Sequence, residues 1–347
     1  MRVMTDRYAV IVTSINHPTR AVVEIARDAV RLTADFIIIG DRKSPPGFTQ
    51  PGATYLDLAA QSRTGFRYAA EAPAQHYARK NVGYLHAIAR GATILIETDD
   101  DNIPRPEFWQ PRSAQMIARV VEHPVWTNVY RYFHSGLVWP RGLPLDQVNA
   151  PLPDLQESQT VYCPIQQGLA DDNPDVDAIY RLLLPIPFRF EAAEPVALRG
   201  AWCPFNSQNT TWWPDAFPLL YLPYHCSFRM TDIWRSFVAQ RIAYANGWAV
   251  LFHAATVFQE RNAHDLMRDF AEEVPGYLHN AAIRQALDDV SIAPGSSRIP
   301  DGMRACYERL VALELVGRAE LPLLDAWLDD LQGCRTEPPG SNRRNAG

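Results

Sequence analysis

Six consecutive residues carry the densest chemistry in the sequence: Glu97, Thr98, Asp99, Asp100, Asp101 and Asn102. Three adjacent carboxylates repel one another. In an extended segment Asp99 and Asp101 point to one side and Asp100 to the other. A hard divalent cation such as manganese or magnesium, taking oxygen ligands and carrying substrate phosphates, relieves that crowding. The competing use of an acidic triplet is a solvated turn. Context favours a metal and nucleotide site: the apolar run 92–96 reads as a buried strand, and Pro104 and Pro106 stiffen the chain after the triplet. Carboxylates at the end of a buried strand stand where open α/β sheets bind ligands.

The elements that must position this turn follow from periodicity. Residues 8–13 read as a strand, Pro18 opens a helix to Leu32, and residues 35–40 read as a second buried strand. Strand, helix and strand in about forty residues predict a right-handed parallel crossover. The first turn lacks GxGxxG, which excludes the dinucleotide fingerprint. Further expectations are a short strand at 54–59, helices over 73–90 and 106–121, and a strand over 125–130. Residues 136–173, rich in proline, glycine and glutamine, read as ordered loops, with a short helix at 175–184 after them. Residues 188–190 and 197–198 read as strand pieces, and 203–210 as a donor-rich binding loop. The clearest amphipathic helix of the second half spans 230–246, followed by a strand at 248–257. The pattern is then helical to about 331, with breaks at Pro275 and at 293–300. This is an α/β chain, expected to divide into a main domain (1–260), a helical appendage (261–332) and a disordered tail (333–347).

Lys and Arg total 33 against 39 Asp and Glu, and the net charge of −6 argues against a broadly basic nucleic-acid-binding surface. The five cysteines are scattered without CxxC spacing, which fits reduced thiols better than a disulfide framework or a zinc site. With neither a signal-peptide core nor a transmembrane stretch in these residues, the expected location is cytoplasmic.

Five segments, RKNVGYLHAI, ETDDDN, QQGLADDNPDVDAIYRL, CPFNSQNT and FRMTDIWRSFVAQR, resemble motifs of STELLO-type glycosyltransferases, over roughly residues 7–290. The triplet and the Asp-Ile-Trp helix are more weakly similar to reversibly glycosylated polypeptides, which include UDP-arabinopyranose mutases. The resemblance implies a GT-A-like fold, a nucleotide-sugar donor and a DxD-type metal site. The N-terminal cytosolic and membrane-spanning portion of STELLO proteins has no counterpart in these residues, so the resemblance does not by itself imply Golgi residence.

On that implication Asp101 is the direct metal ligand, Asp99 supports the metal or the ribose, and Asp100 meets a sugar hydroxyl. Thr13, Ser14 and Asn16 after the first strand, with Asp41 and Arg42 after the second, fall where the fold places a nucleoside. Ser14 and Asn16 are equally suited to capping the first helix. Lys80 and Asn81 are placed to reach base or diphosphate, or else form a solvated helix face. Asn206 belongs to the donor-rich loop, and Arg229 and Arg235 suit bidentate phosphate binding. Asp232, ionised at a helix N-terminus, suits a catalytic base, its alternative use being a cap. His253 and His225 are candidate third metal ligands or structural histidines. Trp202, Trp212 and Trp213 either stack on a sugar or pack the core.

The expected activity is transfer of a sugar, UDP-linked in the leading reading, to a hydroxyl-bearing acceptor. A mutase would use the same donor site without an acceptor, and a non-catalytic scaffold would bind without turnover.

Overall fold

The structure, a computed structural model, describes residues 6–262 and 264–336, with side chains through 334. The first strands are β1 (Tyr8–Thr13), β2 (Asp35–Ile39), β3 (Thr54–Leu56), β4 (Ile94–Thr98) and β5 (Asn102–Pro104). The rest are β6 (Gln115–Val121), β7 (Gln159–Tyr162), β8 (Ile165–Asp171), β9 (Val196–Leu198), β10 (Asn209–Trp212) and β11 (Val250–Gln259). They join in one sheet of order β3-β2-β1-β4-β10-β8-β11-β9-β6-β7, with β5 added to β11. The N-terminal part, β3 to β4, is parallel, as are β8 with β11 and β6 with β9. Insertion of β10 antiparallel between β4 and β8 brings the chain around residue 208 beside the end of β4.

The helices are α1 (Arg20–Leu32), α2 (Leu58–Ser62), α3 (Arg67–Glu71), α4 (Lys80–Ala89), α5 (Ala178–Leu183) and α6 (Thr231–Ala245), then α7 (Leu266–Asp288), α8 (Ile299–Ala312) and α9 (Glu320–Thr336). The β1, α1, β2 crossover stands as expected. Buried Val22, Ile25, Ala26 and Ala29 seat α1 on Val10, Val12, Phe36 and Ile38. No helix of the described residues is long and apolar enough to cross a membrane.

Five local expectations give way to tertiary context. The helix expected over 106–121 is a short turn, Pro106–Trp109, followed by β6, because Pro111 cannot continue a helix and 115–121 can then pair with β7 and β9. The strand expected over 125–130 is reduced to a single bridge from Trp126 to Trp202, where Asn128 turns its amide onto the carbonyls of Val138 and Val148. Gln166, Gln167, Gly168 and Leu169, read as loop, form the buried middle of β8, and the last two residues of the 203–210 loop, Asn209 and Thr210, begin β10. Pro275 does not interrupt α7, which packs on α5 and α6 along its length.

The helical segment after 261 shares its core with the sheet. Trp327 is fully buried against Tyr68, Tyr84 and Tyr221. Asp330 accepts from the backbone N–H groups of Arg67 and Tyr68, and Glu320 from those of Tyr224 and His225. No separate core therefore marks the expected boundary near 260. Of the expected tail, 333–336 is the end of α9 and the remainder lies outside the described residues.

Candidate active site

The acidic triplet leaves β4 in a turn closed by the Asn102 N–H on the Asp99 carbonyl (3.3 Å), where an extended chain was expected. The turn removes the alternation of an extended chain, so Asp99, Asp100 and Asp101 all line one cavity of about 210 Å³. Each carboxylate is differently held. Asp99, whose side chain keeps 38% exposure, meets the Nζ of fully buried Lys80 at 3.2 Å. Lys80 also donates to the Thr98 carbonyl (2.9 Å). Despite that exposure, the atoms crowded around its carboxyl partly desolvate it and raise its pKa against the pull of Lys80, with the charge of Asp101 adding to the rise. Asp100 accepts from Ser14 Oγ (2.6 Å), Asn16 Nδ2 (2.9 Å) and Asn262 Nδ2 (3.3 Å). Asp101 accepts from Gln259 Nε2 (2.9 Å) and the Asn262 N–H (3.2 Å), and burial raises its pKa.

An adjoining cleft of about 590 Å³ opens over the ends of β1 and β2, where Thr13, Ser14, Asn16 and Asp41 line it. Thr19 caps α1 through its hydroxyl, and Ser14 and Asn16 are directed to Asp100, which settles their alternative use. Asp41 takes the N–H groups of Gln75 (2.7 Å) and His76 (3.0 Å) and so docks the loop before α4 on the end of β2. That loop supplies an aromatic wall: His76 stacks on Tyr77 with ring centroids 5.2 Å apart, and Phe228 stands edge-on to both. Arg42 is exposed and off the lining, where Lys43 takes its place.

Asp232, in the first turn of α6, forms part of the floor. Its carboxylate accepts from Arg141 Nη2 (3.2 Å to each oxygen), the Ser207 N–H (3.1 Å), Ser207 Oγ (3.3 Å) and Tyr77 Oη (3.3 Å). Burial alone would favour the neutral acid, but Arg141, Arg235, the Ser207 N–H and Arg229 outweigh it and hold the group down at about 2. Arg229 lines the same cavity, steadied by Glu273 at 2.9 Å.

Several expected site residues are elsewhere. Arg235 is buried and ion-paired with Glu97 at 2.9 Å over the ring of Trp212, since the buried Glu97 requires a cation. Asn81 turns its amide to Tyr68 Oη and to both backbone groups of Leu222. Asn206 folds back on the Gln208 N–H, while Ser207 and Gln208 face the cavities. Trp202, Trp212 and Trp213 are core residues. His253 bonds the Ala254 carbonyl and lies six residues before Gln259, the β11 residue that touches Asp101. At about 3.3 Å per residue it cannot reach the acidic turn, and burial lowers its pKa to about 3. Neither it nor His225 lines either cavity, whereas His264, passed over in the sequence, lines both. Arg141, Asp175, Gln259 and Arg261 were also passed over and line the smaller cavity.

Among the described residues no three of His, Cys, Asp and Glu cluster tightly enough to cage a metal ion. The donors do suit a hard cation shared with a substrate. Asp99 and Asp101 offer carboxylate oxygens, and the Gln259 Oε1 beside them is buried with no partner. One or two carboxylates completed by phosphate oxygens is the usual magnesium arrangement.

The layered α/β fold, with a large, mostly parallel sheet and helices, is consistent with a GT-A-like fold. Residues 229–340 match the family model described as STELLO glycosyltransferases. The chain is similar to the Arabidopsis thaliana protein named "Probable glycosyltransferase STELLO2", 31% identical over 271 residues, covering 72% of this chain and 35% of that protein. It is 31% identical over 242 residues to "Probable glycosyltransferase STELLO1" of the same plant, covering 63% and 31%. These matches mark the chain as STELLO-type. It spans about a third of the length of these relatives. A solved structure titled "Crystal Structure of a Mycobacterial Protein" is similar at TM-score 0.44 and 11% identity, covering 80% of this chain and 74% of that one.

Proposed function

We propose that the protein is a metal-dependent glycosyltransferase that moves a sugar from a nucleoside-diphosphate sugar, in the first instance a UDP-sugar, to a hydroxyl-bearing acceptor. The observation that carries this reading is the convergence of Asp99, Asp100 and Asp101 with Thr13, Ser14 and Asn16 on adjoining cavities at the ends of β1 and β4. The larger cavity suits the nucleoside, against the aromatic wall of His76 and Tyr77. The smaller suits the diphosphate, beside Arg229 and Arg261.

Asp99 and Asp101, with the free Gln259 oxygen, would hold the cation, which when bound neutralises the charge of the departing diphosphate. Lys80 orients Asp99, and Ser14 and Asn16 orient Asp100 toward the sugar hydroxyls. Asp232 is ionised and accepts the hydroxyl proton of the acceptor. As that oxygen bonds to the anomeric carbon, the bond from that carbon to the diphosphate breaks and the diphosphate leaves with the electron pair.

Calorimetric titration of UDP, GDP and their sugars with and without manganese tests the reading without knowledge of the acceptor. Tight uptake of one nucleoside diphosphate only with the metal is expected. Binding of none of them overturns it.

A further inference from the structure

A base needs a free lone pair, and a carboxylate has about four acceptor sites. The two oxygens of Asp232 receive Arg141 on both, Ser207 twice and Tyr77, so an acceptor hydroxyl reaches the carboxylate by displacing one of these donors. Arg141 is the donor with the firmest backing. Its Nε and Nη2 form a fork on the two oxygens of Asp175, both at 2.8 Å, and its backbone N–H bonds the Asp175 carbonyl at 3.0 Å. Its Nη1 donates to the Arg229 carbonyl. The next residue, Gly142, has φ +89°, and a Cβ there would lie 2.4 Å from Ile233 Cγ2, so only glycine lets this segment press on the first turn of α6. Asn280 fixes the same segment by donating to the Gly142 carbonyl at 2.7 Å.

We propose that Asp175 and Arg141 are positioning residues that aim the Asp232 carboxylate and keep it ionised while limiting its strength as a base; this rests on the role given to Asp232 above. The geometry makes Arg141 a clasp shared by two carboxylates, of which only Asp232 is at the helix start. The other charged or titratable groups facing Asp232 are Arg229 and Arg235 from its own segment, Tyr77 from the aromatic wall, Cys226 from the preceding loop and, across the shared cavity, Asp99, Asp100 and Asp101 of the acidic turn. Both arginines act in the same sense as Arg141, but Arg235 is committed to Glu97 and Arg229 to Glu273. Loss of Arg141 therefore leaves Asp232 without a dedicated cation.

The test is the pH profile of UDP release from a bound UDP-sugar, with water as acceptor, for the native protein, Asp232→Asn, Arg141→Lys and the double variant Arg141→Met with Asp175→Asn. The double variant removes one charge of each sign and leaves no second orphaned carboxylate. The native rate is expected to show no acid limb from Asp232 down to pH 4, since the group titrates at about 2. In the double variant the limb should rise by about two pH units or more and so enter the range above pH 4, and Arg141→Lys, with charge but no fork, should show a limb in the same range at lower pH. A limb that stays in place in a double variant with native near-UV dichroism overturns the inference. Should the double variant fail to fold, an unmoved limb in Arg141→Lys overturns it equally. Asp232→Asn separates the two claims: if it is inactive and the limb is unmoved, only the clasp fails, whereas full activity removes the base assignment and the clasp with it.

Discussion

Ser14 Oγ donates to Asp100 Oδ2 at 2.6 Å, joining the end of β1 to the acidic turn after β4. This bond between a hydroxyl and a buried carboxylate fixes the middle carboxylate, and the polar residue after β1 gains a purpose beyond local turn formation. Ser14→Ala should cost about 1.5–3 kcal/mol of stability by urea unfolding, the range for hydrogen bonds to charged groups. It should also weaken nucleotide binding. Unchanged stability would show that Asn16 and Asn262 suffice to hold Asp100.

Asp101→Asn keeps size and most hydrogen-bonding capacity while removing a charge from the triplet. UDP binding should lose its dependence on manganese, because less repulsion remains to be offset and a ligand is missing. Calorimetry on a variant of native melting temperature decides it. An unchanged metal response would move the cation off Asp101.

Asp232→Asn should keep donor affinity and lose transfer by roughly 10²-fold to 10⁴-fold, the usual contribution of a positioned base. Near-normal transfer would leave Asp232 as a structural charge at the start of α6, and loss of donor binding would place it in the phosphate shell.

Arg235→Met should destabilise the fold by about 3–5 kcal/mol, because Glu97 would stay buried without its cation while Trp212 and Tyr84 still donate to it. Affinity for UDP, measured where the variant is folded, should stay close to native. A selective loss of UDP binding at native stability would return Arg235 to the phosphate site.

Asp269 is held down at about 2: burial opposes ionisation, but the His264 hydrogen bond and the nearby Arg229 and Arg261 charges prevail. A carboxyl depressed on folding adds stability above its unfolded pKa, about 3.9, and loses it as the pH falls toward 2. Asp269→Asn should flatten the fall of stability between pH 4 and 2 in acid unfolding. A curve as steep as the native one would exclude the contribution of Asp269.

Legibility in the sequence followed the strength of the local pattern. The apolar runs of β1, β2 and β4 and the triplet after them announced this side of the cleft, because a buried parallel strand needs a continuous apolar run. β8 was hidden because Gln166, Gln167 and Gly168 interrupt its pattern. Folding buries those glutamines by turning their amides onto the carbonyls of Ser113, Cys163, Gly168 and Asn209, partners 1 to 53 residues away. Asp175 lay inside a quoted motif but read as the start of a helix. Arg141 stood in a glycine and proline loop, where nothing local shows that a guanidinium will close on carboxylates 34 and 91 residues distant. Arg235 and Glu97 misled for the same reason: each looks functional alone, and their pairing appears only when α6 crosses β4. His264 was absorbed into a helical reading that in fact begins two residues later, at α7.

Helix α9 gives the order of assembly a direction. Its Glu320 holds the backbone of Tyr224 and His225, its Asp330 holds the start of α3, and its Trp327 fills the gap between Tyr68, Tyr84 and Tyr221. During synthesis, which proceeds from the N-terminus at about 5–20 residues per second, the sheet and the acidic turn leave the ribosome well before these three side chains exist. For that interval the chain carries the carboxylates of the cleft with the segments behind its aromatic wall still unanchored. A ribosome-bound chain stalled with residue 315 exposed should therefore be cut by protease around 66–68 and 224–225, and protection there should arrive only with the final helix.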